Sequence, residues 1–407
     1  MLFLYNLGIR LYQLLIQLAC LKSAKARFFV NGRKDLFDRL AAAITPGQKH
    51  IWFHFASLGE FEQGRPVLEE MRKRRPESPI LMTFFSPSGY EVRKNYPLAD
   101  HIFYLPVDTR RNAEKFIRLV NPELVIFTKY EYWYHYFTEL KQRDIPLYVV
   151  SAIFRKEQPF FKWYGSLHRA MLKCVTYFFV QNEESLLLLD ELGHKNAAKS
   201  GDTRFDRVYE NAQYPKKIDL IESFCAGSKV IIAGSTWLPD EKMLSRFQEL
   251  YPGWKLIIAP HEIGESRIQE IEGLFPESIR YSALTQASDQ PTLIIDNIGM
   301  LSALYQYGDI AYIGGGFGAG IHNTLEAAAF SLPVIFGPNY HKFQEAKDLI
   351  RLGAAFPVNG SEDLKSVSKD LITDSYRLEA GTKATHYVKA NTGATNMIVE
   401  HITLPAE

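Results

Sequence analysis

Five short stretches of this 407-residue chain carry residue types suited to chemistry, and each follows an apolar run. Ala56-Ser57-Leu58-Gly59-Glu60 follows the run 50–55. A Ser-x-Gly turn that opens a helix can present backbone N–H groups to an anion. Glu60 then falls in the first helical turn, where an acid can serve as a base but is also simply favourable beside the helix N-terminus. Ser86-Pro87-Ser88-Gly89 repeats this pattern after 79–85, and most such stretches are only turns and caps. Lys129-Tyr130-Glu131-Tyr132-Trp133 sets an acid among aromatics after 123–128. Gly234-Ser235-Thr236-Trp237 can hold a phosphate but is not GxxxxGK[ST], so nucleotide hydrolysis is disfavoured. The densest stretch is Gly314-Gly315-Gly316-Phe317-Gly318-Ala319-Gly320, followed by Ile321-His322-Asn323-Thr324-Leu325-Glu326. Its glycines let backbone approach a ligand closely. A helix starting near Asn323 would turn its positive end to that ligand, and Glu326 would accept from ribose hydroxyls.

The elements that must position these stretches alternate. Runs at 50–55, 79–85, 101–105, 123–128, 146–151 and 177–181 read as strands, with helical patterns at 59–75, 88–96, 110–120, 133–143 and 182–192. The alternation restarts at 229–233, 254–259, 292–296, 309–314 and 333–336. The expected fold is α/β, with two Rossmann-like domains facing a cleft. The expected boundaries are an N-terminal helix with a basic flank at 1–40, a first Rossmann-like domain at 41–205, a linker at 206–228, a second Rossmann-like domain at 229–385, and a C-terminal helix at 386–407 that packs back on the first domain.

Composition narrows the class. Apolar residues make up 46% and the formal charge is +1, which excludes a disordered chain, a polytopic membrane protein and a nucleic-acid binder of basic type. Cys20, Cys174 and Cys225 form no CxxC or Cys/His cluster, so neither a disulfide framework nor a zinc site is expected. Residues 1–50 hold eight Lys/Arg and two acids, a net +6. The first 21 residues are mostly apolar, with Asn6, Arg10, Gln13 and Gln17 at helical spacing as one polar stripe. Charge after rather than before the run argues against a signal peptide. The reading is an interfacial helix on an anionic surface, with an ordinary packed helix as the alternative.

Taken in order, these motifs resemble the 3-deoxy-D-manno-octulosonic acid (Kdo) transferases of lipopolysaccharide synthesis. The matching stretches are ASLGE at 56–60, TFFSPSG at 83–89, KYEYW at 129–133, GST at 234–236, APHE at 259–262, DNIGML at 296–301 and GIHNTLEAA at 320–328. The resemblance implies the GT-B architecture and inverting transfer of Kdo from CMP-Kdo to a lipid A precursor, lipid IVA, at the cytoplasmic face of the inner membrane. It implies Glu60 as general base, with Glu131 and Arg204 as transition-state stabilisers. It places CMP on Ser235, Thr236, Pro260, His261, Ile298, Gly299, Met300, Asn323, Thr324, Leu325 and Glu326. The acceptor falls on Ser57, Gly59, Ser88 and Gly89. No cofactor or catalytic metal is expected, because the chain has no DxD or His/Asp cluster, and no nucleic acid, because there is no global basic excess. The chain departs from the family pattern at Lys129, Arg204, His261, Met300 and Ala327, which stand where the family has an acid, Lys, Arg, an acid and Pro. The alternatives are a GT-B transferase using a UDP- or ADP-sugar, and a non-catalytic nucleotide-sugar binding protein at the membrane.

Overall fold

The computed structural model describes residues 1–403. Two wholly parallel sheets organise them. In the first, β1 (His50–Phe55), β2 (Ile80–Phe84), β3 (His101–Tyr104), β4 (Pro122–Thr128), β5 (Leu147–Ala152), β6 (Tyr177–Val180) and β7 (Ala197–Lys199) lie in the order β3-β2-β1-β4-β5-β6-β7. In the second, β8 (Val230–Thr236), β9 (Lys255–Pro260), β10 (Ser278–Arg280), β11 (Thr292–Ile294), β12 (Ile310–Ile313), β13 (Val334–Phe336) and β14 (Ala355–Pro357) lie in the order β10-β11-β9-β8-β12-β13-β14. Parallel strands are covered on both faces, so their sequences read as continuous apolar runs. β1 shows this, with all six residues buried. Its Trp52 joins the core on one face, while Ile51, Phe53 and Phe55 join the other.

The chain forms two compact units. The first comprises Met1–Asp206 and the chain from Gly393, and the second Arg207–Thr392. The stretch 206–228, expected as a linker, is largely helical, with helices Arg204–Gln213 and Asp219–Cys225 on either side of Pro215. Val208, Ile221 and Phe224 are buried, so a thin apolar stripe underlies its charged composition. The expected C-terminal helix is two helices. Asp374–Ala390 lies in the second unit, and Ala394–Thr403 lies in the first. Asp206 fastens the latter by accepting from the amides of Gly393 (2.5 Å) and Thr395 (2.7 Å), and Ile398, Val399 and Ile402 enter the core. The last four residues of the expected 386–407 segment lie outside the described residues.

The N-terminal helix α1 (Leu2–Ala19) docks on the first unit along one face. Tyr5 donates its hydroxyl hydrogen to the buried Asp108 (2.5 Å), and Asn6 Oδ1 lies 2.7 Å from His135 Nε2. Tyr12 stacks on Phe85. The polar stripe read from the sequence is therefore divided, with Asn6 and Gln13 half-buried and Arg10 and Gln17 exposed. The outward face is leucine. Leu11, Leu14, Leu15 and Leu18 are each more than half exposed.

Candidate functional site

In each unit the strand order reverses at one point, between β1 and β4 in the first sheet and between β8 and β12 in the second. Open α/β sheets bind ligands at the carboxyl ends of the strands beside such a point. The segments at the carboxyl ends of those four strands are 56–60, 129–133, 235–237 and 314–322, which fall in four of the five motif stretches.

Glu60 sits in the first turn of α2 (Leu58–Arg74) and is half-buried. Ser57, just before the helix, donates its hydroxyl hydrogen to the Glu60 carboxylate. Gly59 is exposed, and a methyl group there would meet the Ser57 hydroxyl oxygen at 3.8 Å, an ordinary contact. The neighbouring loop comes close at Gly89, where a methyl group would lie 2.3 Å from the Phe84 ring and 3.1 Å from the Ser57 carbonyl carbon. Gly89 is buried for that reason, whereas Ser88 is exposed and shares a 3.0 Å hydrogen bond with Ser86. The four expected acceptor residues thus belong to two adjoining turns.

Glu131 is fixed from two sides. Trp133 Nε1 donates to its Oε2 (2.8 Å), and His54 Nε2 lies 3.5 Å from the same oxygen. His54 is fully buried in β1, and its Nδ1 lies 2.8 Å from Thr83 Oγ1. Lys129 begins this loop with φ +69°, a left-handed conformation uncommon for a side-chain-bearing residue and found at functional sites. Sequence reasoning missed His54 and Thr83, because in β1 and β2 they are indistinguishable from strand residues.

Arg204 lies in the first unit and is held against Asp202, with Nε at 2.9 Å and Nη2 at 2.7 Å from Oδ2. The preceding Thr203 donates to the Gln63 carbonyl of α2, the helix that carries Glu60. Glu60, Glu131 and Arg204 therefore belong to one unit, with Arg204 tied to Glu60 through one helix. Asp202 is a third residue that sequence reasoning passed over.

In the second unit Ser235 takes φ +55° where the β8 ladder shifts register. Gly314 packs directly on it, since a methyl group there would lie 2.3 Å from the Ser235 carbonyl oxygen. Gly316 similarly meets Gly337, at 2.5 Å. Asp240 binds the two loops together by accepting from the amides of Trp237 (2.9 Å) and Gly315 (3.0 Å) and from the Tyr312 hydroxyl (2.8 Å). Beside them three rings stack. His261 lies 4.6 Å from Trp237 and 4.6 Å from His322, and Trp237 Nε1 donates to His322 Nε2 at 3.3 Å. Burial, and secondarily the neighbouring His261, lowers the His322 pKa below its ordinary value.

The expected CMP residues differ in burial and in hydrogen-bond partners. The helix after Ser235 begins only at Leu238, and the helix after Asn323 is Leu325–Ala329, five residues long. The first therefore starts later than expected, the second starts near Asn323 as expected, and so short a helix sums few peptide dipoles. Leu325 is a fully buried core residue, and Thr324 is buried as well. Thr236 is buried with its hydroxyl donated to Glu241 (2.8 Å), which itself pairs with Arg267. Asn323 holds Glu326 through Nδ2 (3.0 Å). Pro260 and Met300 are half-buried, whereas Gly299 is exposed and Ile298 is 87% exposed. The Leu301 side chain brings that last loop beside Gly234.

A family model described as 3-deoxy-D-manno-octulosonic-acid transferase (kdotransferase) matches residues 31–207. The 3-deoxy-D-manno-octulosonic acid transferase of Aquifex aeolicus is 28% identical over 346 residues, covering 82% of this chain and 89% of that one. That of Haemophilus influenzae is 27% identical, covering 88% of this chain and 87% of its own. Among solved structures, a putative UDP-N-acetylglucosamine 2-epimerase from Listeria monocytogenes superposes with a TM-score of 0.61 at 12% identity, covering 88% of this chain and 96% of that one, a likeness of fold alone. The two parallel sheets are those of the GT-B class. With the motif order intact across both units, the chain is similar over most of its length to Kdo transferases, and residues 31–207 match that family's domain, which supports a glycosyltransferase of lipopolysaccharide synthesis.

Proposed function

We propose that this chain transfers Kdo from CMP-Kdo to a lipid A precursor, lipid IVA, with inversion at the anomeric carbon and with Glu60 as general base. One observation carries the reading. Glu60 stands half-buried at the reversal point of the first sheet, in a first helical turn shared with the Ser57 hydroxyl. An acceptor hydroxyl must lose its proton as it attacks the anomeric carbon. A positioned carboxylate takes that proton, an effect of typically about 10²–10⁴-fold. The Ser57 hydrogen bond orients the carboxylate beforehand, and Glu131, fixed by Trp133 and His54, supplies a second preset charge.

The leaving group is CMP, and its phosphate charge needs stabilising. Arg204 is the cation assigned to this, preset by Asp202. CMP is assigned to the second unit, near Ser235, Pro260, His261, the loop 298–300, Asn323 and Glu326, with the Trp237–His261–His322 stack beside the phosphate loop. The reaction is read as independent of metal, on the missing DxD motif.

The enzyme is placed at the cytoplasmic face of the inner membrane, without a nucleic-acid partner. Support comes from α1, the one helix among the described residues long and apolar enough to cross a membrane. Its contacts with the first unit at Tyr5, Asn6 and Tyr12 leave only the leucine face for lipid, which favours lying on the surface over spanning it.

The test is incubation with CMP-Kdo and lipid IVA, with product mass read by mass spectrometry, which also counts the Kdo units added. Turnover with a UDP- or ADP-sugar instead would replace this reading by another GT-B transferase. Binding of CMP-Kdo without turnover would replace it by a binding protein.

A further inference from the structure

Between α1 and the helix Ala24–Asn31 lies a groove of about 290 Å³, at the small end of ligand-sized cavities (about 300–1,000 Å³). Its lining is Tyr12 and Ile16 of α1, Ala26 and Phe29 of the second helix, and Phe85 and Pro87 of the loop after β2. We propose that this groove holds one acyl chain of the acceptor glycolipid; the inference rests on the acceptor reading given above and names the lipid-binding part of that site.

Three observations select this occupant. The groove adjoins lipid-facing surface, because its lining residue Tyr12, itself 38% exposed, stands at i, i+3 spacing from the exposed Leu15 on α1. Its lining also includes the polar Ser23, Lys25 and Ser86. Ser86 is hydrogen-bonded to Ser88, so the groove borders the second acceptor turn. An apolar slot bordered by an ammonium and hydroxyls fits an amphiphile whose phosphorylated sugar head meets Lys25 and the serines while one chain lies inside.

The slot is also preformed. Arg33 donates to the carbonyls of Leu105 (2.9 Å), Phe29 (3.0 Å) and Phe85 (2.7 Å). Its guanidinium lies 3.6 Å from the Phe29 ring centre, and the Phe29 and Phe85 rings meet edge-to-face at 5.4 Å. The two walls are thus fixed by a cation held by three carbonyls, so a chain entering the groove would not have to order them.

The test uses the full chain and a phosphorylated, acylated glucosamine disaccharide with a photoreactive diazirine in one acyl chain, presented in phosphatidylcholine vesicles. Peptide mass spectrometry then maps the crosslinks. The expected result is labelling of residues 85–87, competed by excess unlabelled glycolipid and reduced at least fivefold by Ile16→Trp, which fills the groove. Phosphatidylglycerol carrying the same chain should label only the outward leucines of α1. Ala26→Phe, which fills the slot from the other wall, repeats the test, and unchanged melting temperatures establish that both variants fold. Absence of label on 85–87, label indifferent to both variants, or equal labelling by phosphatidylglycerol would overturn the proposal. Because crosslinking needs no turnover, failure of the transferase reading would appear separately, as no Kdo transfer by the wild-type chain.

Discussion

His54 and Glu131 are joined across the reversal point of the first sheet. The imidazole Nε2 lies 3.5 Å from the carboxylate, and its other nitrogen is held 2.8 Å from Thr83 Oγ1. A fully buried ring with both nitrogens engaged fixes where the carboxylate stands. His54→Phe keeps the aromatic volume and removes that contact. We expect turnover to fall by about tenfold while the Michaelis constant for CMP-Kdo stays within about twofold, as for loss of an interaction made in the transition state. A fall in melting temperature that alone accounts for the lost activity would instead make His54 a packing residue.

Glu60→Gln removes the base and keeps the shape. The expected loss in transfer is at least about 10²-fold. CMP binding, measured by calorimetry, should be nearly unchanged, because the residues assigned to CMP lie in the second unit. Activity within tenfold of wild type would remove Glu60 from this role.

Arg204 and Asp202 make a separable pair. Arg204→Ala should lower turnover more than it raises the acceptor Michaelis constant, since a cation at the departing phosphate acts chiefly in the transition state. Asp202→Asn keeps the guanidinium but loosens its hold, and should give a smaller loss in the same direction. An unchanged turnover number in Arg204→Ala would contradict the assignment.

The His322 ring offers a pH test. Its pKa is lowered, first by burial and then by His261. A histidine with a lowered folded value takes up its proton later than the unfolded chain does as pH falls. Its effect on stability is therefore absent well above the ordinary value of 6.5 and becomes destabilising as pH falls below it. Protonation also removes the acceptor for Trp237 Nε1. His261→Ala deletes the neighbouring charge and should move the His322 titration upward, toward the ordinary value. Histidine NMR reads this directly, and a downward movement would refute the stated cause.

Much of this arrangement was legible in the sequence, and what was not has identifiable causes. The expected strand 50–55 coincides with β1, and each of the other ten expected strands overlaps an observed one, because buried parallel strands are unbroken apolar runs. β7, β10 and β14 were missed. Each is a three-residue strand at a sheet edge, too short for any period. The loops were found through glycines and acids that stand out locally. Their braces His54 and Asp240 were not, because their partners Glu131 and Gly315 lie far along the chain, and Asp202 was passed over because an acid two residues from Arg204 reads as an ordinary local ion pair. Leu325 and Thr236 show the converse, since a motif can name a position whose side chain turns into the core.

The membrane role of α1 can be tested without disturbing its docking. Deleting residues 1–21 would also take Tyr5 from the buried Asp108 and Asn6 from His135. Loss of stability and loss of lipid binding would then be confounded. The outward face avoids this, because Leu11, Leu14, Leu15 and Leu18 are 52%, 52%, 56% and 57% exposed. Replacing all four by Gln retains good helix formers and removes exposed apolar surface. Burying a leucine side chain contributes about 1.5–3 kcal/mol, so four half-exposed leucines supply much of the attraction to a bilayer. The basic residues of the 1–50 segment add about 1 kcal/mol each near an anionic surface, a part that salt screens. The quadruple variant should leave anionic vesicles in co-sedimentation, and what binding remains should vanish in high salt. Its melting temperature should stay within a few degrees of wild type, and CMP binding should be unchanged. Vesicle binding equal to wild type, with the fold intact, would show that this face does not meet the membrane.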